Sequence, residues 1–355
     1  MPAPVPLPHL NSLRPYQAAG GFTPLHNLSA NESCLGASPA AIAAAAAATQ
    51  TLEVYPDGGC RTLREAIAGR YALASDRIIC SAGSEELISL IVQAYAAPGD
   101  EVLFSQYGFI KYELAARAYG AVPVRAPEAA FTANVQALLE AVTPQTKVLF
   151  LANPNNPTGT YVDDTEIRRL RQELREDILL VIDAAYAEYV SRNDYSEGFA
   201  LAAETENTLV LRTFSKIHGL AGLRVGWGYG APALIEALHK VRGAFNVGSV
   251  SQAAATAAIL DTHHERRARD HNDRWLPWLS GELMAIGLEV IPSVCNFAVA
   301  RFADDEACRA GVSALQRHGV LAMPLGGYGL PESLRITIGT QAANEAVVTA
   351  LKEAT

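Results

Sequence analysis

Cysteine is scarce in this chain. Of its 355 residues only five are Cys (Cys34, Cys60, Cys80, Cys295 and Cys308), scattered without paired spacing. Neither a disulfide framework nor a zinc site is indicated, and a reducing cytoplasm is the expected setting. Charge is sparse too: 18% of residues, with a net balance of −9. The positive surface needed to neutralise phosphate backbones is missing, so nucleic acid is not an expected partner. The alanine-rich stretch 40–48 is too short to span a bilayer. The opening Met-Pro-Ala-Pro-Val-Pro-Leu-Pro has neither the basic start nor the apolar run of a secretory signal, so no membrane association is expected. Among the 28 basic residues only Lys111, Lys147, Lys216, Lys240 and Lys352 are lysines, which leaves few candidates for lysine chemistry. What is abundant is apolar: at 50% hydrophobic residues, the chain can build one large or two ordinary cores. A protein acting on small molecules is expected.

From about Ser84 to Arg242 helical stretches alternate with short apolar runs, the pattern of a parallel sheet covered on both faces. The runs are Glu101 to Phe104, Lys147 to Ala152, Ile178 to Ile182 and Thr208 to Arg212. Each stops at polar residues, and ligands of open α/β sheets lie at the carboxyl ends of strands. Asn156, Asp183 and Lys216 are thereby expected on one rim. After about Val247 the pattern changes to a long helical stretch, His263 to Met284, then mixed strands and helices through Leu334 to Ile338 and a last helix near Asn344 to Glu353. Residues 1–35 read as an irregular, proline-rich arm belonging to a small domain, 36–247 as a large domain, and 248–355 as the rest of the small one. The alanine run reads as a packing helix.

Lys216 follows an apolar strand, has a hydroxyl neighbour in Ser215, and is trailed by Gly219-Leu220-Ala221-Gly222-Leu223-Arg224. A desolvated lysine near other cations loses its proton more readily and can form a Schiff base with a carbonyl; the alternative is a solvated lysine. Asp183 ends a buried run, with Tyr186 three residues on. Such a carboxylate needs a cationic partner, which a protonated pyridine ring supplies, and Tyr186 and Asn156 can bond a hydroxyl on that ring; on its own Asp183 is better read as a helix cap. Ser81-Ala82-Gly83-Ser84-Glu85-Glu86 opens an apolar helix after a strand from Arg77 to Cys80. Gly83 admits a close phosphate, Ser84 can bind it or cap, and Ser215 and Arg224 can complete the cradle. Taken alone, this is an ordinary strand-to-helix turn.

Asn153-Pro154-Asn155-Asn156-Pro157-Thr158-Gly159, Asp183 with Tyr186, Ser215-Lys216 and Leu220 to Arg224 occur in the order and spacing of four separate motifs. Through them the chain resembles the fold-type-I, pyridoxal-phosphate-dependent aminotransferases of class I/II. Pro15-Tyr16-Gln17, Tyr55-Pro56-Asp57-Gly58 and Leu334 to Gly339 make it most similar to histidinol-phosphate aminotransferases. The resemblance implies a mainly parallel seven-stranded sheet in a large cofactor-binding domain beside a smaller α/β domain, with an amino group moved between an L-amino acid, or histidinol phosphate, and a 2-oxo acid.

Carried over residue by residue, it implies Lys216 as the Schiff-base lysine, Asp183 as partner of the ring nitrogen, and Asn156 and Tyr186 as partners of the ring hydroxyl. Tyr107 would stack on the ring. Gly83, Ser84, Glu85, Ser215 and Arg224 would hold the phosphate together with Tyr55 of a second subunit, hence a homodimer. Arg335 would grip the substrate carboxylate, its planar fork suiting a bidentate contact. Tyr16, Asn31 and Met323 would line the substrate. Two departures stand out. Asn31-Glu32-Ser33-Cys34 replaces the usual Asn-Glu-Asn-Pro, and Met323 stands where histidinol-phosphate enzymes carry a second arginine, so neutral amino acids are expected to compete with histidinol phosphate. Decarboxylation on the same fold and a non-catalytic ligand-binding role are the competing readings. His263, His264 and His271 read as a solvated helix face rather than a metal site, and Gly326-Gly327-Tyr328-Gly329 as a mobile loop beside the site.

Overall fold

Strands form where apolar residues run without interruption, because both faces of the sheet are buried. Along Thr146–Ala152, Leu149 and Leu151 enter one core while Val148 and Phe150 enter the other; Leu180 and Ile182 alternate with Leu179 and Val181 in the same way. The period of two thus feeds two cores from one strand. The structure, a computed structural model, describes residues 4–15 and 22–354. Its main sheet has seven strands in the order Ile78–Ser81, Gly226–Gly230, Thr208–Thr213, Leu179–Asp183, Thr146–Ala152, Glu101–Ser105 and Val122–Ala126. All neighbours are parallel except Gly226–Gly230, which runs antiparallel to both of its partners. The parallel strands end on one rim, where Asp183 closes its strand and the loops bearing Asn156 and Lys216 begin.

A second sheet of four antiparallel strands, Glu289–Ile291, Phe297–Arg301, Ser333–Thr337 and Met323–Pro324, is backed by helices Thr262–Ala285, Asp305–Arg317 and Gln341–Lys352. The arm joins this layer. His26–Asn27 pairs in parallel with Val320–Leu321, and Leu28 enters the core of Trp275, Leu279 and Ile336. Helix Ser249–Leu260 follows the division expected at Val247, yet Ala254, Ala255, Ala258 and Ile259 pack in a core of the first sheet, against helices Pro39–Ala48 and Arg61–Tyr71. Small residues on both Pro39–Ala48 and Ser249–Leu260 permit that close packing. The alanine helix starts on Ser38, whose hydroxyl accepts from the Ala41 amide at 3.1 Å. Of its side chains only Ala41 is fully buried.

Three expectations are corrected by packing. His264 and Glu265 do not lie on a solvated face: both are buried, His264 Nε2 lies 3.1 Å from the Gly36 carbonyl, and Glu265 is gripped by Arg70 and Arg269. His271 likewise reaches the Gly339 carbonyl at 2.9 Å. The long helix is polar because it crosses from one layer to the other and needs ion pairs there. The glycine-rich segment forms a 3₁₀ turn, Gly326–Tyr328, with Tyr328 buried, because the tyrosine anchors it in an apolar cluster. No helix among the described residues is long and apolar enough to cross a membrane.

Candidate active site

Two glycines bring the start of helix Ser84–Tyr95 close against Arg224 and strand Gly226–Gly230. Gly83, at φ +85°, is the N-cap of helix Ser84–Tyr95, and no side chain caps that helix; Ser84 is its first residue and not its cap. The amides of the first turn therefore lack a protein cap, and the helix dipole favours an anion there. A Cβ on Gly83 would come within 2.5 Å of Arg224 Nη2, and one on Gly226 within 2.3 Å of the Ser84 nitrogen. Arg224 Nη1 donates to Ser215 Oγ at 3.2 Å. Gly83, Ser84, Ser215 and Arg224 are thus brought together, with Glu85 in the same first turn.

Lys216 lies beyond Thr208–Thr213, partly buried. Its Nζ donates to the Ala30 carbonyl at 2.8 Å and sits 5.6 Å from the centre of the Tyr186 ring. Burial, reinforced by the guanidinium of Arg335 and then that of Arg224, pulls its pKa down to about 8, while Glu32 and Glu85 oppose the fall. Asp183 ends its strand fully enclosed. Its Oδ2 accepts from the Tyr112 hydroxyl at 2.9 Å, and its buried Oδ1 has no partner. Asp183 is not the N-cap of the 3₁₀ turn that follows, Ala187–Tyr189, whose cap residue is Tyr186. Burial raises its pKa to about 6 against hydrogen bonds from Tyr112 and the Ala185 amide. Tyr186, also buried, accepts from Asn31 Nδ2 at 2.9 Å, which leaves its own proton free to donate. Asn31 holds a left-handed backbone, φ 54°, fixed by Thr337 Oγ1 on both its amide and its side chain.

Arg335 comes from the second sheet. It reaches Asn156 Oδ1 on the first, donates to the Ser29 carbonyl at 2.7 Å, and keeps a buried Nε without a partner. The two layers meet through this guanidinium. Met323 is its direct cross-strand neighbour and packs in a cluster with Phe297, Tyr328, Tyr107 and Phe131. Tyr107 is held by its amide, which donates to Glu128 Oε1 at 3.1 Å. Tyr55 is not brought to the site of its own chain: it is 79% exposed and stacks on Phe245 at 4.8 Å. Tyr16 lies outside the described residues.

Sequence reasoning missed Tyr112 and a buried ion pair. Arg212 Nη2 lies 2.5 Å from Glu188 Oε1, with His218 facing the same oxygen at 3.7 Å. Burial alone would raise Glu188, but Arg212 and His218 hold its carboxyl down to about 2. The pair ties the loop after Tyr186 to the strand leading into Lys216. Only its position beside both motifs could have flagged it.

Residues 23–351 match the family model for aminotransferase class I and II. The chain is 52% identical to a histidinol-phosphate aminotransferase of Paramagnetospirillum magneticum over 359 residues, 99% of each chain. It is 48% identical to one of Rhodopseudomonas palustris over 362 residues, again 99% of each. Among solved structures it is similar to histidinol-phosphate aminotransferase from Sinorhizobium meliloti in complex with pyridoxal-5'-phosphate, with a TM-score of 0.92 and 27% identity, covering 98% of this chain and 96% of that one.

Proposed function

The chain belongs to the class I and II aminotransferases, and from that premise we propose how its own residues carry a pyridoxal-phosphate-dependent transamination. Bound pyridoxal phosphate supplies an aldehyde that takes up amines and a ring that, protonated at nitrogen, draws electrons from the substrate α-carbon. The site fits that group: a buried carboxylate oxygen lacks a partner, a helix start lacks a cap beside a guanidinium and a hydroxyl, and a lysine near both is kept partly neutral. In this reading Lys216 Nζ would hold the aldehyde carbon of the cofactor and would serve as the base for the substrate α-proton. Asp183 Oδ1 would face the ring nitrogen, Tyr186 and Asn156 would bond the ring hydroxyl, and Tyr107 would cover the ring. Gly83, Ser84 and Glu85 offer amides to the phosphate, and Ser215 and Arg224 complete its cradle.

One observation carries the substrate reading: a buried arginine from the second sheet reaches Asn156 on the first and keeps one N–H free. We read Arg335 as the receptor of the substrate's anionic end, with Asn31 tied to the neighbouring Thr337 of the same strand. The relatives' names favour histidinol phosphate as the amine, and an amino-group transfer calls for an oxo acid as its partner. Met323 favours a second reading, since its thioether beside Arg335 and the surrounding aromatic cluster suit neutral or aromatic amino acids.

The test is a half-reaction panel in which the yellow holoenzyme is mixed with histidinol phosphate and with neutral, aromatic and acidic amino acids while the visible band is followed. Histidinol phosphate and aromatic amino acids are both expected to bleach it. Met323→Arg should shift preference toward the phosphate by about one to two decades, the worth of a charged hydrogen bond. A wild type that strongly prefers histidinol phosphate refutes the neutral reading. Carbon dioxide release would move the assignment to decarboxylation.

A homodimer is proposed on Tyr55 and other exposed apolar side chains within residues 42–55: Ile42 is 59% exposed, Leu52 65% and Val54 61%. A cytoplasmic site is proposed on the five free thiols.

A further inference from the structure

The two oxygens of Asp183 have different surroundings. Oδ2 accepts from Tyr112, and Oδ1 is enclosed with no partner. Tyr112 belongs to helix Lys111–Ala118 and is fully buried. Its ring stacks on Phe150 at 4.5 Å and 6°, and Phe104 and Phe109 close in at 5.9 Å each, so the hydroxyl has one place to point. Nothing in the transamination described above requires a tyrosine there.

We propose that Tyr112 is the positioning residue of Asp183: its hydroxyl turns Oδ1 into the site and holds the carboxyl as the anion that pairs with the protonated ring nitrogen. The proposal rests on the reading of Asp183 as partner of that nitrogen. A proton between a pyridine nitrogen and a carboxyl stays with the stronger base. Burial makes Asp183 a stronger base; Tyr112, the Ala185 amide and Lys216 oppose this, while Glu85 adds to it. Without the Tyr112 bond the carboxyl draws the proton to itself and the ring becomes a poorer electron sink. Tyr112 is a dependable donor, because burial and the neighbouring Asp183 charge keep its own proton in place well beyond the ordinary range.

The experiment uses holoenzyme reconstituted with cofactor labelled with nitrogen-15 in the ring, whose chemical shift reports protonation directly. Tyr112→Phe keeps the ring stack and removes only the hydroxyl. Its deprotonation midpoint should fall by about one to two pH units relative to wild type, the size of one hydrogen bond to a charged group. Its kcat should fall roughly tenfold with KM changed less than about twofold, since the loss is in electron withdrawal rather than binding. Replacing Tyr112 by 3-fluorotyrosine, a stronger donor, should raise the midpoint, and this arm stands should Tyr112→Phe fold poorly. Midpoints that coincide with wild type in either variant overturn the proposal. Asp183→Asn separates the two levels: it should leave the nitrogen unprotonated, and a wild-type signal there overturns the Asp183 assignment itself.

Discussion

On the proposed role of Lys216 as the amine that takes up pyridoxal phosphate, its lowered basicity sets how fast the apoprotein captures the cofactor. With the ordinary lysine value of 10.5, roughly one amine in three thousand is neutral at pH 7; at about 8 the fraction is roughly one in ten, a gain of about 300-fold in reactive amine. The capture rate, followed by the visible band under excess pyridoxal phosphate, should rise about tenfold per pH unit and level off near pH 8. Burial is the main cause and survives substitution, but Arg335 is the next. Arg335→Gln should therefore move the break upward by about half a unit to one unit, the size of one screened charge pair. No amino substrate is present, so this effect is separate from any role of Arg335 in binding one. Because Lys216 binds its proton less tightly folded than unfolded, the apoprotein should also gain stability as pH rises from about 8 to 10.5. A break near 10.5, or one that stays put in Arg335→Gln, refutes the reasoning.

Gly83→Ala adds a Cβ at a positive φ within 2.5 Å of Arg224 Nη2, and cofactor titration should show affinity weakened by about tenfold or more with the fold intact; unchanged affinity would show that this helix start is not the phosphate site. Glu188→Gln leaves Arg212 enclosed without its counter-charge and should cost about 3–5 kcal/mol in denaturant unfolding. In the wild type, Glu188 titrates lower folded than unfolded, so its contribution is present above about pH 4.5 and should fade as pH falls toward 2. Sedimentation velocity should find a dimer, and Tyr55→Phe should preserve it while loosening cofactor binding; an active monomer contradicts the assignment of Tyr55.

Much of this protein is legible along the chain because its information is local. Apolar runs ending at Asp183 and just before Ser215-Lys216 are strands buried on both faces, and the α/β layering follows from their alternation with helices. The positive φ at Gly83 and the serine before the alanine helix act within one to three positions, a range that local backbone geometry decides, whereas the approach of Gly83 to Arg224 is a tertiary contact. Lys216 stood out for the same reason, as one of few lysines and the one set at a strand end.

Other features depend on contacts between distant segments. Tyr112 and Asp183 lie 71 residues apart and meet only because their strands and helix share one core. Arg335 reaches Asn156 across 179 residues, when the second sheet closes over the first. The charged stretch at His264 and Glu265 looked solvated because its partners, Gly36, Arg70 and Arg269, are in part far away in sequence. Tyr328 reads as part of a loop until the apolar cluster that buries it is assembled. The sequence alone marked five of the seven strands of the main sheet and nominated the residues proposed for the chemistry. The tertiary structure decided which buried polar atoms are partnered and which stay open, because a buried donor or acceptor is satisfied by whatever the fold brings within about 3 Å of it.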